Sequence, residues 1–89
     1  MKTYLITYDL INPNRDYQTL YEGIKSLGNW AHVLESVWIV KSDSDAVTIR
    51  DFLRKSIDGN DKLFVAQLNG EAAWVNLSNE LTQWLKSNL

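Results

Sequence analysis

The 89-residue sequence contains one histidine, His32, and no cysteine. Disulfides and thiolate metal sites are therefore closed to it, as is a histidine-rich metal site within one chain. It has no phosphate-cradling glycine loop, no HExxH and no nucleophile-elbow serine. Any catalysis must rest on carboxylates, hydroxyls, arginine and a bound cation. Asp9 is the foremost acid. It stands near the end of a run that reads as buried, where side chains leave a core and meet ligands, and hard cations such as magnesium take carboxylate oxygen. The plainer role for Asp9 is to cap the Asn12-Pro13-Asn14 turn that follows. Histidine is the residue type suited to proton transfer at neutral pH, which makes His32 a candidate general base. A lone histidine in a strand is more often a hydrogen-bonded packing residue. Glu35 reads as a solvent-facing or edge residue beside Ser36.

Charge sets further bounds. Lys41, Arg50, Arg54, Lys55 and Lys62 could form a weak basic surface for phosphates. Asp43, Asp45, Asp51 and Asp58 interleave with them, so a solvated, salt-bridged helix face is the preferred account. The net charge of −2 argues against a dedicated high-affinity nucleic-acid binder. It leaves room for a local basic stripe or for metal-bridged phosphate contacts. Trp30, Trp38, Trp74 and Trp84 could stack bases, although packing is the preferred role for most of them.

The elements that must position these residues follow from periodicity. Tyr4, Ile6, Tyr8 and Leu10 alternate with Thr3, Leu5, Thr7 and Asp9, which predicts a strand. Tyr17, Leu20, Tyr21, Ile24 and Leu27 form one helical stripe over 16–27, with Asn14 or Asp16 as cap and Gly28 as a left-handed C′ residue. Residues 30–41 are strand material whose alternation fails at Leu34-Glu35-Ser36. A tight turn or bulge there would divide the segment into two strands. Ser42 to Asp45 supply caps for a helix running to about Ile57, with Ala46, Ile49, Leu53 and Ile57 inward. Lys62 to Leu68 reads as a strand, Ala72 to Val75 as a short edge strand, and Leu81, Trp84, Leu85 and Leu89 as a final helix capped by Ser78 or Asn76. The expected fold is a single α+β domain over 1–89. It would be a ferredoxin-like sandwich (βαββαβ) with helices on one face of an antiparallel sheet, extended by a C-terminal short strand and helix. A chain of this size buries only about 60% of its unfolded surface, so a dimer would add burial. The N-terminus lacks a secretory apolar stretch and no run approaches the ~20 residues that span a membrane, which leads us to expect a cytoplasmic protein.

The strand ending Tyr8-Asp9-Leu10, the helix closing with Gly28 and the Ser36-Val37-Trp38 element before the second helix resemble the CRISPR-associated protein Cas-two family. The resemblance covers roughly residues 3–68. It extends to the virulence-associated protein D toxins of the same fold and to relatives labelled SinR-like. It implies a two-fold homodimer in which Asp9 is the catalytic and metal-binding aspartate near the dimer axis, with magnesium as cofactor. It aligns Arg15 with a loop arginine and Ser36 with the serine before the aromatic; with His32, these are candidate substrate contacts. It also places residues 72–77 where the family's last strand reaches the partner subunit. The chain departs from the family where an Arg-x-Gln is replaced by His32 and Leu34, in its acidic charge, and in its final helix. Two functions follow as expectations. One is a metal-dependent endonuclease acting on RNA or DNA; the alternative is a non-catalytic homodimeric scaffold or interaction module. A nucleic-acid binder that does not cleave is a third. The sequence identifies no partner in CRISPR adaptation.

Overall fold

The computed structural model describes residues 1–12 and 15–89. Pro13 and the predicted cap Asn14 lie outside the described residues. The element order is β1 (Lys2–Asp9), α1 (Gln18–Ser26), β2 (Asn29–Leu34), β3 (Val37–Ser42), α2 (Ala46–Arg54), β4 (Lys62–Leu68) and α3 (Asn79–Asn88). The strands form one antiparallel sheet in the order β2-β3-β1-β4. This is a small α+β domain, compatible with the expected ferredoxin-like architecture.

Alternation in β1 decides which side chains go where. The register sets Tyr4 opposite Val40 and Ile6 opposite Trp38 and Val65, so these residues share one face. Leu20 and Ile24 of α1 and Ile49 and Leu53 of α2 cover that face, and all four are fully buried with Ile6 and Val40. The helices start where side chains can answer orphan N–H groups. Asp45 accepts from Thr48 N at 2.8 Å, and Ser78 Oγ accepts from Leu81 N at 3.1 Å. Asp16 accepts from Gln18 N at 2.9 Å, just before α1. Hydrogen bonds to Thr48 hold the Asp45 carboxyl below the usual aspartate range.

Several expectations are corrected. Residues 72–75 are not a strand; they run irregularly into the α3 cap. The helices do not all lie on one face. Leu85 of α3 lines a cavity with Leu5, Val37 and Ile39, which belong to the opposite face from Tyr4 and Ile6. Helix α1 starts at Gln18 rather than at 16, and α2 stops at Arg54 rather than near Ile57. Gly28 is not in the left-handed helical region: its φ is 158°. Glycine is needed there because a Cβ would stand 2.0 Å from the Lys41 carbonyl oxygen, so the end of α1 can lie against β3 only without a side chain.

The segment over 30–41 does divide. Glu35-Ser36 is a tight turn, and the β2–β3 register shifts between His32 and Leu34. The bulge explains the failed alternation: consecutive residues Val33 and Leu34 line the same cavity. Among the described residues, no helix is long and apolar enough to cross a membrane.

Candidate functional site

Two aspartates with contrasting surroundings lie where β1 ends and β4 begins: Asp9 closes β1 and Asp61 immediately precedes β4. Asp9 closes the strand opposite Lys62, on the face away from α1 and α2. Its carboxylate is exposed and makes no hydrogen bond or ion pair with the described residues. The predicted capping role therefore finds no partner among them. A shallow depression of about 360 Å³ opens here, lined by Thr7, Asp9, Lys62 and Phe64, whose ring is 63% exposed.

Asp61, which sequence reasoning passed over, is the more connected acid. Its Oδ1 accepts from Ile11 N at 2.8 Å and its Oδ2 from Asp58 N at 2.8 Å. The Tyr17 hydroxyl donates to both oxygens, at 3.1 and 2.9 Å. Burial alone pushes the Asp61 carboxyl up. The bonds from Ile11, Asp58 and Tyr17, with the nearby Arg15 charge, outweigh it and hold the group below the usual aspartate range. Burial and the bond to Asp61 push the Tyr17 hydroxyl up, so it remains a donor. The signal available in sequence was a turn-forming Asp58-Gly59-Asn60-Asp61. Which distant N–H groups it would gather depends on the sheet closing between β1 and β4.

The other predicted residues divide. Ser36 sits in the β2–β3 turn, at the same sheet end as Asp9, because Val37 is opposite Thr7. Arg15 is also held at that end, but its guanidinium is engaged. Nη1 binds the Asp58 carboxylate, Nη2 donates to Ser56 O at 3.3 Å, and the group lies 5.5 Å over the Tyr17 ring. Its Nε is buried without a partner among the described residues. Arg15 thus clamps the segment entering α1 to the turn after α2, and a free substrate contact would require that clamp to open.

His32 points the other way from Asp9. Its ring stacks on Trp38, with centroids 3.9 Å apart and planes 9° from parallel, on the face that holds Tyr4 and Ile6. Its Nε2 lies 3.0 Å from the Glu35 carbonyl, which can only accept, so that nitrogen carries the proton. Tyr8 Oη donates to the same carbonyl at 3.4 Å and accepts from Trp38 Nε1 at 2.9 Å. Burial pushes the Tyr8 hydroxyl up, against the bond from Trp38. His32 and Asp9 therefore cannot act on one atom within a single chain. On the predicted salt-bridged face of α2, Arg50 pairs with Asp51 at 2.9 Å among the described residues. No group of three or more His, Asp or Glu side chains is placed to hold a metal among the described residues.

With this geometry established, comparison adds the following. The chain is similar to a hypothetical protein from Thermus thermophilus known from a crystal structure. The TM-score is 0.67 and the identity 25%, over 84% of this chain and 90% of that one. No family model matches. The likeness supports the α+β architecture and carries no activity with it.

Proposed function

We propose that this chain is a Cas-two-like protein with a ferredoxin-like fold. In this reading it forms a two-fold homodimer that cleaves phosphodiester bonds in RNA or DNA, using magnesium held by Asp9 of both subunits. The fold label is supported by the βαββαβ order, which α3 extends. The observation that carries the activity is the state of Asp9: exposed, without a donor among the described residues, and on an open sheet face.

The donor chemistry fits the ion. Magnesium is commonly held by one or two carboxylates together with substrate phosphate; Asp9 offers one exposed carboxylate per subunit, and its symmetry mate would offer the second. When bound, the ion supplies Lewis-acid stabilisation of charge developing on the phosphodiester. Asp9 orients and anchors, Lys62 across the β1–β4 pairing supplies positive charge toward phosphate, and the Asp61 hub fixes the chain that leaves β1.

The test is cleavage of labelled RNA and DNA with and without magnesium, for the parent and Asp9→Ala. Magnesium-dependent cleavage lost in Asp9→Ala is the expected result. Cleavage surviving at parental rate would remove Asp9 from the mechanism.

A second reading, a non-catalytic homodimeric scaffold, is favoured by exposed apolar side chains. Leu34 and Val75, 56% and 78% exposed, border a cavity of about 310 Å³ beside α3. A scaffold would sediment as a dimer and show no heat of magnesium binding by calorimetry. Magnesium binding lost in Asp9→Ala would count against it.

A further inference from the structure

Residues 72–75, which do not pair as a strand, form one wall of the cavity on the open face of the sheet. The cavity measures about 310 Å³. Leu5, Val37 and Ile39 make its floor and Leu85 of α3 its second wall. Trp74 Nε1 donates to Thr82 Oγ1 at 3.1 Å, which ties the first wall to α3. Ile39 and Leu85 are buried at the base, while Leu34 and Val75 stand exposed at the rim. The space is thus bounded by the sheet, a helix and a tethered segment of the same chain.

The lining selects the ligand. All twelve residues that border the cavity are apolar. The indole nitrogen of Trp74 is the one polar side-chain atom they carry, and it is already bonded to Thr82. A buried water needs about two to four polar partners, which these side chains do not supply. A charged group entering here would lose its hydration and find no counter-charge. Size narrows the choice further. An apolar cavity of roughly 150 Å³ stays dry and takes up one benzene ring, and this one has about twice that volume. We propose that the cavity binds an uncharged, hydrocarbon-like molecule about the size of two fused rings. Dispersion contacts and the release of water from apolar surface hold it. The site goes beyond both functions proposed above, since neither Asp9 nor magnesium takes part.

A heteronuclear NMR titration with naphthalene, in EDTA so that no metal site contributes, tests this. Saturable shifts at the Trp74 indole N–H and the Leu85 methyls are expected, with the Trp38 indole on the closed face unmoved. Val37→Phe fills the space from the floor and stays apolar, so it should weaken binding at least about tenfold. Leu34→Glu, which sets a charge at the rim, should weaken it about tenfold. Phe64 is exposed on the same face but outside the cavity, so Phe64→Ala should bind like the parent. Asp9→Ala should also bind like the parent, whether or not it cleaves, which separates this site from the proposed nuclease. Circular dichroism confirms that each variant is folded. The proposal is overturned if no shift saturates below the solubility of naphthalene, as when a second copy of the chain fills the cavity. It is equally overturned if the Trp38 indole moves as much as that of Trp74, if Phe64→Ala loses binding, or if Val37→Phe or Leu34→Glu, when folded, binds like the parent.

Discussion

The two faces of the sheet are built from the same strands and do different things. On one, Ile6 and Val40 meet Leu20, Ile24, Ile49 and Leu53, and none of these six side chains is accessible. On the other, Ile39 is buried but Leu5 is covered only in part, leaving a cavity and exposed Leu34 and Phe64. The closed face can supply most of the stability, because burial and dispersion contacts are complete there. The open face gives up some of that gain and keeps apolar surface, with Asp9 at its end, free for another molecule.

The comparison can be broken by mutation. Leu53→Ala on the closed face should have the largest effect, about 2–5 kcal/mol of lost stability by urea denaturation. Gly23 sits so near Leu53 Cδ2 that little slack exists to refill the void. Leu85→Ala on the open face should cost less, about 2 kcal/mol, since its surroundings already contain space and can relax. Equal costs in the two variants would erase the distinction between the faces.

The aspartates sharpen it at smaller scale. The folded Asp61 carboxyl lies below its ordinary value, so the unfolded chain takes up the proton first as pH falls. The Asp61 contribution is therefore complete above the ordinary aspartate range and fades as pH drops through the folded value. Asp61→Asn should lower Tm at neutral pH, and the gap from the parent should narrow below about pH 4. A gap independent of pH would show that charge at Asp61 is not what holds the hub. Asp9→Ala should change stability least, within about 0.5 kcal/mol, because no described residue leans on its carboxylate.

Much of this was legible before any coordinates. The β1 alternation, the α1 stripe and the caps Asp45 and Ser78 are local signals, and they appear where periodicity and capping chemistry put them. Residues 72–75 misled because a short apolar run looks like a strand; whether it pairs depends on how the chain is led past a sheet edge, which composition does not encode. The side taken by α3 escaped for a similar reason. An amphipathic stripe predicts that a helix is buried on one side and says nothing of which layer receives it. At the site, Asp9 could be singled out by its place at a strand end. Asp61 could not, because its donors Ile11 and Tyr17 lie 50 and 44 residues away in sequence.

Both chain ends meet at the opposite pole of the molecule from Asp9. Met1, Lys2, Ser87, Asn88 and Leu89 border one depression, and Asn88 ties that corner together through bonds with Thr3 and Asn29. Strand β1, eight residues long, spans roughly 25 Å from there to Asp9. A fluorescent reporter or affinity handle fused at either end would therefore project away from the acidic pole, and two handles on one chain would stand side by side.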